Sequence, residues 1–481
     1  MASAESNEPP PSKEAMEKAE HLKRAIEKIK GERLQYGRQR RKRAAELEMK
    51  LQDEELTAEQ KRQIQIEYFL DESHSLRSQR SNGLKTTAAD FKVIKIIGKG
   101  AFGEVRIVRH KKTAKVFAMK TMLKNMMIAK NQLGHIVAER DIMVDSNNPW
   151  LVTLFYAFQD AKYLYLVMEF CGGGDLMGLL IKKDILSERD TRFYMAELAA
   201  AINYVHELGY VHRDLKPDNV LIANDGHIRL SDFGLAKSFQ SSNDQQLDNW
   251  QQYVATLKQA DIEKMKDDAK DDDPAERRKN VDRKKLYSTV GTPDYIAIEV
   301  LYQKGYDKKV DWWSMGVIMF ECLVGYAPFH ANEPLATCRK IVRYERYFKI
   351  PGDVKLTKQA VDLMKALVCP AHRRIAWDKI QSHPWFKKVN WEDLKSHKPP
   401  FVPKLKNEVD ATYFDEIEEE QDIEDIDENV KQSGYSTSAD EQNRVWGYTF
   451  NRNDAQAFKD YTKKANAALA NIEAKKKEDA E

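Results

Sequence analysis

The sequence predicts an α+β chain in which a β-rich segment runs directly into a mainly helical one, and three observations carry that expectation. Residues 91–97 and the run ending Val116-Phe117-Ala118-Met119-Lys120 are rich in β-branched and aromatic residues, as strands are. Between them lies Gly98-Lys99-Gly100-Ala101-Phe102-Gly103-Glu104-Val105, a glycine-punctuated link between two strands. Helical patterning then takes over: residues 134–143 place Ile136, Ile142 and Met143 on one face, and Asp311-Trp312-Trp313-Ser314-Met315-Gly316 opens a further helix.

The strongest chemical signal lies downstream of the strands. His212-Arg213-Asp214-Leu215-Lys216-Pro217-Asp218-Asn219 is followed by Ser231-Asp232-Phe233-Gly234. Phosphoryl transfer needs one carboxylate to orient the attacking hydroxyl and accept its proton. It needs a second to hold Mg²⁺ on the phosphates and an amide oxygen for a further metal ion. Asp214, Asp232 and Asn219 are residues of those three types. The glycines upstream leave room for backbone N–H groups to close over phosphates, and the second strand delivers Lys120. A buried ammonium needs a fixed anion, and Glu139 is the candidate. Taken singly, Lys120 and Glu139 read as solvated surface charges; their place in an ordered series of five elements argues otherwise.

These motifs resemble those of the eukaryotic protein kinases, over residues 91–386 and with no catalytic element missing. The resemblance implies the two-lobed protein kinase fold, a small β-rich N-lobe and a large α-helical C-lobe, with ATP and Mg²⁺ bound between them. Asp214 would orient the hydroxyl, Lys216 would steady the γ-phosphate, Lys120 and Glu139 would position ATP, and Asn219 with Asp232 would hold magnesium. Ile97, Gly98, Lys99, Gly100, Ala101, Phe102, Gly103, Glu104 and Val105 would cover the nucleotide. Ala118 and Leu221 would sandwich the purine with Val105, and Met168, Glu169 and Cys171 would form the hinge. Lys216 and Thr292 resemble the serine/threonine class. Asp311 would hold the catalytic-loop backbone and Arg374 would pair with Glu299. One departure stands there: Ala297-Ile298-Glu299 replaces the usual Ala-Pro-Glu and gives up a fixed φ.

Three carboxylates, Asp175, Asp218 and Glu321, resemble the acidic positions with which basophilic kinases read arginine, which carboxylates bind bidentately. They imply an Arg-x-x-Ser/Thr preference, with a solvated surface role as the fallback for Asp175 taken alone.

A chain of 481 residues exceeds one ordinary domain. Its net charge of +2 gives no bulk attraction to nucleic acid or membrane. Four dispersed cysteines without a C-x-x-C spacing exclude a zinc ribbon and argue against a disulfide framework. No apolar run resembles a signal peptide or is long enough to span a bilayer, so the expected location is the cytosol, the nucleus or both. Residues 1–12 read as disordered and residues 13–88 as a helical regulatory region, in which Leu22, Ile26 and Ile29 form a stripe ahead of Arg38-Gln39-Arg40-Arg41-Lys42-Arg43. That basic run reads as a solvated face, an import signal or a dock for an acidic partner. Residues 387–481 read as an extended tail.

Three features resemble the NDR/LATS family of the AGC kinases: the basic helices ahead of residue 91, a long insertion at 238–287 and the tail motif Trp446-Gly447-Tyr448-Thr449-Phe450. Within the insertion Leu247, Trp250, Val254 and Leu257 share one helical face, expected to restrain activity by displacing the Glu139 helix. The resemblance implies a MOB-family coactivator on the N-terminal region, self-phosphorylation of Ser288, phosphorylation of Thr449 by an upstream kinase, and Phe414 reaching toward the nucleotide. Val445 stands where the tail motif normally has its first aromatic. Another AGC branch without MOB dependence, or a weakly active kinase-fold scaffold, fits the same residues.

Overall fold

Five strands form the first half of the core: β1 (Phe91–Gly100), β2 (Gly103–His110), β3 (Val116–Leu123), β4 (Leu154–Gln159) and β5 (Tyr163–Met168), all antiparallel in the order β1-β2-β3-β5-β4. The computed structural model describes residues 86–100, 103–129, 133–145, 148–160, 162–234, 236–238, 293–302, 307–331, 333–417 and 448–452. The chain divides into two compact units, 1–85 and 86–481, and every described residue belongs to the second. Alternation sends Phe91, Phe117, Tyr156 and Phe158 to one face of the sheet, where their rings stack or meet edge to face. Met122, Leu164 and Leu166 point into the main core with α2 (Leu133–Asp145), which follows the short α1 (Lys124–Ala129). Ile136, Ile142 and Met143 are buried, as their spacing predicts.

The second half is helical. α3 (Leu176–Lys183) starts where Asp175 accepts a hydrogen bond from Gly178 N at 2.7 Å, and α4 (Glu188–Glu207) where Ser187 accepts from Asp190 N at 3.1 Å. Short ribbons β6 (Tyr210–Val211) with β9 (Lys237–Ser238), and β7 (Val220–Ile222) with β8 (Ile228–Leu230), flank the loop that carries the sequence motifs. After α5 (Ile298–Leu301) comes α6 (Lys309–Val324), buried from Val310 onward, so its neighbours α7 (Pro334–Val342), α8 (Lys358–Leu367) and α4 surround rather than flank it. Gly316 lets α8 approach, since a Cβ there would lie 2.8 Å from Leu367 and Val368 side chains. Gly325, at φ 105°, ends α6 in the left-handed conformation. Truncating Trp312 or Trp313 to alanine would cost about 3–5 kcal/mol.

The tail returns to the sheet. Its strand β10 (Phe450–Asn451) pairs antiparallel with β4, Phe450 opposite Ala157 and Asn451 opposite Tyr156, and becomes the sixth strand. The architecture is the two-lobed α+β arrangement expected from the motifs.

Candidate active site

The loop 212–219 is held from below by a buried carboxylate. Asp311, in the first turn of α6, accepts from His212 N and Arg213 N at 2.9 Å each, and His206 Nε2 lies 2.7 Å from it. Burial would raise the Asp311 carboxyl, but the hydrogen bond from His206 and those of the loop hold it below its usual value. The grip matters because Arg213 sits at φ 68°, a left-handed conformation that costs about 1–3 kcal/mol. Asn219 Nδ2 donates to Asp214 O at 2.7 Å and to Asp214 Oδ2 at 3.1 Å, and Lys216 Nζ is 3.3 Å from the same Oδ2. The Asp214 carboxylate is therefore aimed, yet its side chain stays 32% exposed and open to a reactant.

The opposing wall is a charge triad drawn from three elements. Lys120 Nζ, on β3, donates to Glu139 Oε1 at 2.8 Å and Oε2 at 3.2 Å, and to Asp232 Oδ1 at 3.0 Å. Lys120 first, against the effect of burial, holds the Asp232 carboxyl down to about 2. Burial pushes Lys120 down, but Asp232 and Glu139 outweigh it and raise it. Burial raises the Glu139 carboxyl against the pull of Lys120. Asp232 too is left-handed, at φ 59°, and Phe233 behind it is fully buried with its ring 5.1 Å from that of His212. Nothing in the local sequence around 120, 139 or 232 states this proximity; only the order of motifs does.

Between the walls, the sheet register sets Ala118 opposite Met168, while Val105 lies opposite Lys120 and therefore on its face. Leu221 bridges to Asp175. Cys171 is buried, and burial pushes its thiol well up. Glu169 turns its carboxylate to Thr153 N at 2.8 Å and Arg229 at 3.3 Å, so any hinge contact falls to backbone. Glu104 departs from expectation. Opposite Thr121, it lies on the other sheet face from Val105, only 2% exposed and paired with Arg106, so its side chain does not cover the nucleotide cleft. The glycines also differ: Gly98 and Gly100 have room for a Cβ, whereas one at Gly103 would collide with the Thr121 carbonyl. Ile97 and Lys99 are strand residues, and Ala101 and Phe102 lie outside the described residues.

Residues 91–261 and 276–386 match the family model for the protein kinase domain. The chain belongs to the protein kinases. Similar proteins include the serine/threonine-protein kinase CBK1 of Candida albicans, 38% identical over 471 residues that cover 92% of this chain and 64% of the relative. The protein of the same name from Pneumocystis carinii is 40% identical over 461 residues, covering 93% and 90%. A Dictyostelium discoideum protein named "Probable serine/threonine-protein kinase ndrB" is 41% identical over 426 residues, covering 85% and 77%. The chain thus spans under two thirds of the Candida relative. Within the kinases it is a member of the serine/threonine class, AGC group, NDR/LATS family.

The kinase's candidate substrate acids are not alike. Asp175, raised to about 7 by burial and then by Asp218 and Asp415 despite its bond to Gly178 N, is a helix cap rather than a solvated residue. Burial also raises Asp218, against Lys216. Glu321, expected beside them, is 1% exposed inside α6, where Tyr295 Oη donates to it at 2.6 Å. Its carboxylate supports the loop after residue 293 instead of lying open to a peptide. Asp415, from the tail, was missed by sequence reading because only the fold brings it near Asp175. Thr292 and Ser288 lie outside the described residues.

The departure at Ile298 is absorbed. Ile298 takes the first position of α5, a site whose N–H needs no helical partner, and buries its side chain in a cluster with Leu301, Trp313 and Tyr347. Glu299 remains clamped by Arg374 Nη1 and Nη2 at 2.5 and 2.9 Å. In the tail, Phe414 stacks on Phe170 of the hinge with ring centroids 5.8 Å apart. Tyr448 is fully buried and Arg140 lies 5.9 Å from its ring centre, while Thr449 is half-buried. Val445 and Trp446, the insertion 238–287 beyond Ser238, and residues 1–85 lie outside the described residues.

Proposed function

We propose that this kinase transfers the γ-phosphate of Mg·ATP to serine or threonine in proteins with arginine upstream of the acceptor. The observation that carries the reading is the convergence of the Lys120–Glu139–Asp232 triad on the Asp214–Lys216–Asn219 cluster across one cleft. The residues fit the cofactor. A carboxylate held ionised down to about 2 and an amide whose nitrogen is committed to Asp214 offer the hard oxygens that magnesium takes. When bound, Mg·ATP supplies the phosphoryl group and neutralises its charge.

The chain's own residues do the rest. Glu139 keeps the Lys120 ammonium aimed at the α- and β-phosphates. Asp232 and Asn219 would hold the magnesium ion. Asp214 orients the acceptor hydroxyl and takes its proton, and Lys216, beside it, steadies the γ-phosphate. Asp175 and Asp218 receive a substrate arginine. Regulation would come from a MOB-type coactivator on residues 13–88, supported by the basic run 38–43, and from phosphate on Ser288 and Thr449. The insertion would restrain the Glu139 helix. A cytosolic or nuclear location suits such a role.

The test is transfer from Mg·ATP to an Arg-x-x-Ser peptide by the full chain and by Asp214→Asn. Loss on the order of 10³-fold in kcat, with ATP affinity retained, is expected. An Asp214→Asn enzyme as active as the parent overturns the assignment. A pull-down of a MOB protein by residues 12–88 tests the partner.

A further inference from the structure

The helix that carries Glu139 is poorly built for its task. α2 (Leu133–Asp145) contains a glycine near its start, and its sequence places Asp141 and Asp145 toward its C-terminal end with no basic residue in the last turn. A helix C-terminus carries partial negative charge and leaves its final carbonyls without intrahelical donors, so acids there are unfavourable and a cation is wanted. Arg140, one turn back, is turned toward Asp141. The helix's own last turn therefore supplies no cation.

One arrives from elsewhere. Arg452, 309 positions along the chain from Met143, donates from Nη2 to Met143 O at 3.1 Å, and from Nε to Leu154 O at 2.6 Å. Met143 O belongs to the last turn of α2. Leu154 begins β4, beside the register shift between Leu154 and Tyr156 where the β4–β5 ladder is irregular. A single guanidinium therefore ties the end of the Glu139 helix to the start of β4, across the connection between them. It is delivered there by backbone pairing, because Phe450 and Asn451 immediately before it are strand partners of Ala157 and Tyr156.

We propose that Arg452 is a positioning residue for the kinase: it caps α2, fastens it to β4, and so keeps Glu139 within reach of Lys120. Its fork of donors suits the task, because two carbonyls on different elements are bridged at once, which an ammonium on a flexible stem does less well. The segment 448–452 then grips α2 at two heights, Tyr448 against Arg140 in mid-helix and Arg452 at the end. Neither contact uses a phosphate.

The experiment is native-state hydrogen exchange on the full chain, comparing the parent with Arg452→Ala and Arg452→Lys, followed by steady-state kinetics. Amides of 137–143 are expected to exchange about ten-fold faster in Arg452→Ala, with those of 312–322 in α6 unchanged and Arg452→Lys between the two. In the same variant kcat should fall several-fold while the KM for peptide stays put. Unchanged exchange at 137–143, or equal acceleration at both helices, overturns the proposal, as does a change confined to the peptide KM. If Arg452→Ala does not fold, Arg452→Gln, which keeps donors and drops the charge, carries the same comparison. The kinetic part rests on the kinase reading; exchange requires no phosphoryl transfer, so failure of one is distinguishable from failure of the other.

Discussion

The two walls of the cleft are held by different means. The wall with Asp214 and Asn219 stands on Asp311 and α6, where the supporting residues are buried from Val310 to Val324 and the anchoring hydrogen bonds run to fixed backbone. The wall with Lys120 and Glu139 depends on a 13-residue helix whose own sequence caps it badly and whose fastening is borrowed from the tail. The difference separates chemistry from control. On the proposed reading the groups that perform transfer are fixed by the core, while the helix that carries Glu139 is fastened by contacts from the tail.

Substitutions can break that comparison, and the largest effect is expected at its base. Asp311→Asn keeps size but replaces an acceptor of three contacts with a group that can satisfy fewer, leaving Arg213 unsupported. Activity should fall about 100-fold and stability by about 3 kcal/mol, measured by peptide kinetics and denaturant unfolding. Glu139→Gln should spare folding yet cost about 10–100-fold in kcat, since it removes the charge that aims Lys120. A large loss of stability there would erase the distinction between the walls.

A smaller effect concerns recognition. Asp175 is raised to about 7, so it gains charge as pH climbs through that value. An arginine binds the ionised form, and the KM for an Arg-x-x-Ser peptide should therefore fall several-fold as pH rises through about 7, with no such trend for a peptide lacking the arginine. For stability the sign reverses. A carboxyl whose folded pKa exceeds its unfolded value resists ionisation, so its contribution is lost as pH rises from the ordinary carboxylate range to about 7. The smallest effect is at Tyr448, whose buried hydroxyl has no hydrogen-bond partner among the described residues. Tyr448→Phe should leave activity intact and change stability by under about 1 kcal/mol, in the stabilising direction.

Much of this was legible in the sequence where chemistry is written in contiguous residues. His212–Asn219 and Ser231–Gly234 name their roles locally, and the apolar spacing of Ile136, Ile142 and Met143 gave α2 its buried face. Strand alternation could have reversed the reading of Glu104, because Val105 and Glu104 must face opposite ways; the motif absorbed it instead. Glu321 was misjudged because a carboxylate's burial depends on Tyr295, a residue 26 positions away. Arg452 was invisible for the same reason at greater distance. Its sequence neighbours show a charged tail residue, and only the β10–β4 register carries it to the end of α2.

The most direct test of the central contrast is hydrogen exchange of the unsubstituted full chain, read separately for residues 137–143 of α2 and 312–322 of α6. Opening of α2 at least ten-fold more often than α6 is the result this account predicts. Equal protection of the two helices, or slower exchange in α2, would contradict it, because the Glu139 wall would then be as firmly built as the wall beneath Asp214.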